Sequence, residues 1–358
     1  MKQNRVDAVL ANLAEMGLNQ ILITDPLSIL YLTGRLIKPL ERFYALYLNR
    51  NGSHKIFINL LETVPEDLGV EKVRFTDTDP YLDLAAAAMD PSEPLGVDKN
   101  LPARFLLPLM EKKAASGYVN ASLAVDKARA VKDEQEKELM RTASRLNDEA
   151  LAILKTRIRP GVTEVQLAEE LIQIYTDVGA DGLSFEPLVA FGANAASGHH
   201  YPDDTVLKSG DCILIDAGCT YGGYCSDMTR TYFYQSVTPR QREVYNLVLK
   251  ANEDAEKAVR PGIVLSELDN IARGVITDGG FGPNFTHRLG HFIGMEDHDF
   301  GDVSSAATDK AVPGNIFSIE PGIYLEGELG VRIEDLILVT EDGYENLNHL
   351  SKELEIIP

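Results

Sequence analysis

The sequence predicts two α/β domains, a small one followed by a larger one. Three observations carry this. Strand and helix patterns alternate through the first part of the chain. A helix–turn–helix pattern occurs twice in the second part, each time around Arg-Pro-Gly. Two short apolar runs in that part end in an acid, and each is followed by a glycine turn and a second acid. At 358 residues, and with about 150 residues per domain as a prior, two domains also suit the length.

In the first part, Val6, Val9, Leu10, Leu13 and Met16 recur at helical spacing over residues 4–17, and Gly17 stops the helix. Residues 21–24 read as a strand, and 28–32 as a short helix ending at Gly34. Residues 43–48 and 55–59 read as strands joined by Asn51-Gly52, a strong hairpin signal. Helices are expected over 81–89 and 104–114, and a strand over 95–98. No phosphate loop or nucleophile elbow occurs there. Residues 122–134 are polar and charged, and the domain boundary is expected among them, giving domains 1–124 and 125–358.

The second part opens with a long amphipathic helix over 133–157. It runs into Arg159-Pro-Gly161, and Thr163 with Gln166 forms a capping box for a helix over 164–178. The pattern returns 101 residues later. A helix over 239–259 runs into Arg260-Pro-Gly262, and Ser266 is expected to cap a helix ending near Thr277. An internal duplication into two αα/β halves related by a pseudo-twofold is the expectation.

Composition excludes several classes. Hydrophobic residues make up 44% and charged residues 25%, which describes a globular chain. No run of 18 apolar residues exists, and the first residues lack the apolar core of a signal peptide, so a cytoplasmic protein without membrane contact is expected. A net charge of −21 argues against nucleic acid as a partner. Cys212, Cys219 and Cys225 are an odd set whose spacing fits no zinc motif, so free buried thiols are expected.

The chemistry centres on residues 211–231. The apolar run 212–215 ends in Asp216, Gly222 and Gly223 supply a turn, and the returning strand carries Asp227. Folding about 221–222 brings the two acids nearly opposite each other. Near the C-terminus the plan recurs: the run 316–319 ends in Glu320, a turn falls near Gly327, and Glu334 returns beside Arg332. One acid at a strand end is commonly a satisfied polar residue. Two hairpins that each pair two acids beside apolar runs call for a cation. His291 is a candidate fifth ligand. Oxygen ligands with one imidazole suit Mn²⁺, Co²⁺, Fe²⁺ or Zn²⁺, and four carboxylates balance two dications.

These residues resemble the dinuclear-metal peptidases of the pita-bread fold, a family that includes methionine aminopeptidase, aminopeptidase P and prolidase. The resemblance is carried by Asp216 and Asp227, Gly290-His291, the stretch 318–324 and the stretch 330–335. Met228-Thr-Arg-Thr231, residues 131–136 and the presence of an N-terminal domain are similar to the proline-directed branch. The resemblance implies a small creatinase/prolidase-like N-terminal domain, a pita-bread catalytic domain and two divalent ions, Mn²⁺ foremost. By this resemblance Asp216 holds one ion, Asp227 and Glu334 bridge both, and His291 and Glu320 complete the other. A metal-bridging hydroxide would attack the scissile carbonyl, with Glu320 moving the proton. His199 and His298 would bind substrate and steady the oxyanion, and Arg332 would orient carboxylates or substrate.

The implied activity is an Xaa-Pro dipeptidase acting on Xaa-Pro dipeptides or short proline peptides. Aminopeptidase P is the nearest alternative. A creatinase-like hydrolase or a non-enzymatic binding protein on the same fold is less compatible with five intact ligand positions. The resemblance also implies a homodimer, with residues 34–39 as the contact. The chain departs from the family in Ser197-Gly-His-His-Tyr201, where His200 competes with His199. Phe292 is expected to narrow the pocket, and Asp299-Phe300-Gly301 follows the last histidine. His287 is read as structural.

Overall fold

The computed structural model describes residues 1–198 and 200–358. They form two compact units, Met1–Arg129 and Ala130–Pro358.

In the first unit, α1 (Gln3–Glu15) buries Val6, Val9 and Leu13, the stripe read from the spacing. β1 (Gln20–Ile23) leads to α2 (Pro26–Thr33). The Asp25 side chain accepts from the Ser28 amide at the start of α2, and Gly34 ends it in left-handed backbone at φ 73°. β2 (Ala45–Asn49) and β3 (Lys55–Asn59) form the hairpin signalled by Asn51-Gly52. β4 (Glu71–Phe75), α3 (Tyr81–Ala86), β5 (Pro94–Val97), α4 (Ala103–Glu111), β6 (Gly117–Asn120) and α5 (Ser122–Ala130) complete the unit. The sheet order is β4-β3-β2-β1-β5-β6. β4 and β6 are its edges. Both are largely unburied, so neither showed the apolar pattern that marks a strand.

The expected boundary at 124/125 falls inside α5. The polar composition of 122–134 conceals a buried face with Ala124, Val125 and Ala128. Asn12 Nδ2 donates to the Ala124 carbonyl at 2.9 Å and Tyr31 Oη to that of Ala128 at 3.0 Å. These contacts hold α5 to the first unit and move the division to 129/130.

The second unit opens with a packed pair, α6 (Glu134–Lys155) and α7 (Glu164–Val178). Each begins with a reciprocal capping box, Asp133 with Glu136 and Thr163 with Gln166. β7 (Gly182–Leu183), β8 (Leu188–Phe191), β9 (Cys212–Ala217), β10 (Cys219–Tyr221), β11 (Tyr224–Cys225) and β12 (Met228–Tyr234) follow. The second helix pair is α8 (Pro239–Ala258) and α9 (Leu265–Asp278). After it come β13 (Gly290–His291), β14 (Asp302–Val303), β15 (Ile316–Ile319), β16 (Gly322–Leu325), β17 (Leu329–Arg332), β18 (Asp335–Val339), β19 (Tyr344–Asn346) and β20 (Ile356–Ile357). Ser266 does not cap α9. The cap position is Val264, which offers no side-chain bond, and Ser266 lies within the first turn.

The repeat is visible in the backbone. Thr163 bridges to Val206 before α7, and Val264 bridges to Lys310 before α9. Glu164 N donates to Thr205 O, and Leu265 N to Asp309 O. Each long helix also sends an asparagine to a strand end beside a site acid. Asn147 Nδ2 reaches Ala217 O at 2.8 Å, and Asn252 Nδ2 reaches Ile319 O at 2.9 Å.

β9 lies between two apolar cores. Cys212 and Leu214 face the core built on α8 and α9, while Ile213, Ile215 and Ala217 face the one built on α6 and α7. Burial on both faces explains the unbroken apolar run. Among the described residues, no helix is long and apolar enough to cross a membrane.

Candidate active site

The two carboxylate hairpins fold by the same rule with different registers. In the second, Ile319 pairs with Asp335 and Gly322 with Arg332, and this register sets Glu320 opposite Glu334 as expected. In the first, Asp216 pairs with Thr229 rather than standing opposite Asp227. The turn residues are Gly222 and Gly223, at φ 58° and 82°, one residue beyond the expected fold. Moving a turn by one residue moves the pairing by two. A two-residue shift keeps the same face of the sheet, so Asp227 still enters the site.

Asp216, Asp227, His291, His298, Glu320, Arg332 and Glu334 line one cavity of about 740 Å³. Ligand oxygens of Asp227 and Glu334 and a ring nitrogen of His291 lie within 4.8 Å of one another, and all three residues are buried. His291 Nε2 stands 3.5 Å from Asp227 Oδ2 and 3.6 Å from Glu320 Oε1. His199 lies outside the described residues.

Hydrogen bonds hold these groups in place. Arg332 Nη2 donates to Asp216 Oδ2 at 2.5 Å, Nε to Thr229 Oγ1 at 3.0 Å and Nη1 to Tyr324 Oη at 2.8 Å. Thr229 Oγ1 donates to Glu334 Oε2 at 2.7 Å. Ser318 Oγ donates to Glu320 Oε1 at 3.3 Å and accepts the His291 amide at 3.0 Å.

Burial and like charge shift the ionisation of these groups. Burial raises the Asp227 carboxyl well above its ordinary range, and the charges of Glu334, Asp297, Asp216 and Glu320 add to this. Burial does the same to Glu334, with Glu320 and Asp216 adding. Glu320 is pushed up to about 8, by burial first. Burial lowers His291 to about 3, with His298 adding to this. The ring is therefore neutral. Its Nδ1 faces the Phe292 carbonyl at 3.2 Å and carries the proton, so the Nε2 lone pair points at carboxylate oxygens. Among the described residues, no hydrogen-bond donor reaches the buried Asp216 Oδ1, Asp227 Oδ1 or Glu334 Oε1. Such a cluster needs shared protons or a cation, and oxygen donors with one imidazole suit a divalent metal.

Four further residues belong to the site and were not assigned to it from sequence. Thr229 and Tyr324 are neutral links whose roles follow from strand register. Asp297, pushed up to about 7 by burial and by Asp216, lines the cavity beside Asp227. His287, read from sequence as structural, also lines it. Its Nδ1 donates to the Arg288 carbonyl at 2.7 Å and its Nε2 accepts from Tyr324 Oη at 2.9 Å. Its spacing of four from His291 was the available signal. His298 stacks on His291 at 3.9 Å between ring centres, and its Nδ1 accepts from Arg288 at 3.2 Å. His200 Nε2 lies 2.6 Å from Glu164 Oε2, and the same carboxylate takes the amides of Phe191 and Asp203 and Asn194 Nδ2. Phe292 does not narrow the cavity. It is buried in the core against Phe317, at 5.5 Å between ring centres.

Residues 138–341 match the model of metallopeptidase family M24, and residues 5–131 match the creatinase/prolidase N-terminal domain. An uncharacterised peptidase of Staphylococcus aureus (strain USA300) is 37% identical over 341 residues, covering 92% of this chain and 94% of its own. Among solved structures, dipeptidase PepE from Mycobacterium ulcerans has a TM-score of 0.93 and 33% identity, covering 100% of this chain and 98% of its own. The Xaa-Pro dipeptidase from Bacillus anthracis has a TM-score of 0.91 and 28% identity, covering 99% and 100%. The chain thus belongs to metallopeptidase family M24, with the pita-bread catalytic domain preceded by a creatinase/prolidase N-terminal domain.

Proposed function

We propose that this M24 peptidase is an Xaa-Pro dipeptidase working with two divalent ions, Mn²⁺ foremost. The observation that carries the metal reading is the neutral His291 ring whose Nε2 faces Asp227 and Glu320, in a cluster where Asp216 Oδ1, Asp227 Oδ1 and Glu334 Oε1 have no donor among the described residues. In this reading Asp216, Asp227, His291, Glu320 and Glu334 would hold the ions, as the family resemblance implies. When bound, the ions polarise the scissile carbonyl and acidify a water that serves as nucleophile. The residues do the rest. Glu320 takes the proton released as the new C–O bond forms and delivers it to the proline nitrogen as the C–N bond breaks. His298 and His199 hold the oxygen on which negative charge develops. Arg332 keeps Asp216 aligned through the contact it makes on the opposite side.

The Xaa-Pro preference rests on the resemblance and on the activity named for the Bacillus anthracis relative. Hydrolysis of Ala-Pro and Leu-Pro, compared with Ala-Pro-Ala, tests it, with metal analysis of the same protein. Cleavage of the tripeptide alone would make the enzyme an aminopeptidase P. An Asp227→Asn variant that kept both metal and activity would sink the metal mechanism. Three buried free thiols support a reducing compartment such as the cytoplasm. Exposed Leu36 and Leu40 support a homodimer contact around residues 34–39, which a monomer in sedimentation would remove.

A further inference from the structure

We propose that Lys352, reaching in from the C-terminal segment, is a positioning residue that fixes Glu320 and Glu334 for the ions by holding the backbone beside them. This rests on the metal reading above. Lys352 is not among the residues that line the cavity. Its Nζ donates to Asn252 Oδ1 at 2.7 Å, to both oxygens of Glu256 at 2.8 Å and to Asp335 Oδ2 at 2.7 Å. Two of these partners lead to site acids. Asn252 Nδ2 donates to the carbonyl of Ile319, directly before Glu320, at 2.9 Å and to that of Ile333, directly before Glu334, at 3.4 Å. Asp335 directly follows Glu334. Arg230 Nη2 donates to Asp335 Oδ1 at 2.6 Å, and Arg230 Nη1 donates to the Glu334 carbonyl at 2.7 Å. The Glu334 backbone is thus held on both sides by groups that meet at Lys352. The same segment touches the first hairpin, where Leu350 O accepts from Arg230 at 2.8 Å and Asn348 Nδ2 donates to Asp227 O at 3.3 Å.

The repeat shows that orienting such an asparagine needs no charge. In the first half, Asn147 Nδ2 holds Ala217 O while its Oδ1 accepts from Tyr175 Oη at 2.7 Å. A neutral phenol does there what an ammonium does at Asn252. What the second half adds is Asp335, whose side chain has no exposure and lies between Arg230 and Lys352. Without the ammonium, Asp335 Oδ2 and the Glu256 carboxylate face each other with no donor between them. Removing one partner from a buried ion network leaves an uncompensated charge, which the structure relieves by moving. Any movement of Asp335 is passed to Glu334, its neighbour in the chain.

The test titrates metal-free protein with Mn²⁺ and follows the free ion by its paramagnetic resonance. Lys352→Met should raise the Mn²⁺ concentration at half-saturation about 10- to 100-fold, as removal of a group that orients metal ligands does. Lys352→Arg returns a cation between Asp335 and Glu256 and should recover most of the affinity. Glu256→Gln leaves Lys352 on Asp335 and Asn252 and should stay within about threefold of the wild type. A lysine that only anchored the C-terminal segment would lower the melting temperature when replaced and leave the Mn²⁺ affinity alone. Unchanged affinity in Lys352→Met therefore overturns the proposal, whatever its melting temperature. So does an equal loss in Glu256→Gln, which would assign the effect to the packing of α8. Where Lys352→Met does not fold, Lys352→Gln takes its place, because it keeps a donor and carries no charge. A loss of at least about threefold then supports the proposal, and wild-type affinity overturns it. A wild type that binds no divalent ion sinks the metal reading and this proposal together. Wild-type binding with unaffected variants sinks the proposal alone.

Discussion

Arg332 Nη2 donates to Asp216 Oδ2 across 2.5 Å and so joins two hairpins that lie 116 residues apart in the chain. The same guanidinium also reaches Thr229 and Tyr324. Three partners at fixed angles require a planar fork.

Arg332→Lys is expected to lower kcat/KM by about 10- to 100-fold, the range for residues that support metal ligands. A single ammonium cannot keep all three partners, so Asp216 loses alignment. Steady-state kinetics with elemental analysis check this, and unchanged kinetics would remove Arg332 from the machinery.

Thr229 is buried opposite Asp216 and relays Arg332 to Glu334. Thr229→Val keeps the volume and leaves Arg332 Nε and Glu334 Oε2 without this partner. A cost of about 1–3 kcal/mol is expected in denaturant unfolding of the metal-loaded protein. Thr229→Ser should recover most of it.

Metal-stripped protein should become less stable as pH rises from 6.5 to 8. Burial raises Glu320 to about 8 and Asp297 to about 7, so the folded state holds more protons than the unfolded state across that window. Glu256, raised to about 8 outside the cavity, adds a slope of the same sign. His291, lowered to about 3, acts the other way, but only below its ordinary 6.5. Saturating Mn²⁺ should remove the share of the slope that belongs to the site, because it stabilises the ionised carboxylates. Melting curves at both pH values, with and without the ion, decide this, and a slope indifferent to metal counts against the site.

Glu164→Ala should destabilise the protein by at least about 2 kcal/mol, because the buried carboxylate accepts from the Phe191 amide, Asn194, His200 and the Asp203 amide. Those groups tether the segment carrying Gly198, His200 and Tyr201, which line the cavity. Activity should fall even where the protein remains folded, and Glu164→Gln should retain more of both. Full activity in Glu164→Ala would show that the segment needs no anchor.

Much of this molecule was legible in its residues. Apolar runs ending in Asp216 and Glu320, glycine turns after them and matched Arg-Pro-Gly helix pairs are local patterns. Local patterns set strands, turns and caps, because backbone sterics and hydrogen bonding act over a few residues. The capping box at Thr163 needed nothing else. Tertiary structure decided the rest. It placed Thr229 rather than Asp227 across from Asp216, because the register depends on which glycines take left-handed backbone. It assigned α5 to the first unit through a buried face hidden in charged sequence. It turned Phe292 into the core and brought His287 and Asp297 into the cavity. Burial and the direction of a side chain depend on packing between segments far apart in the chain, and no local spacing encodes that.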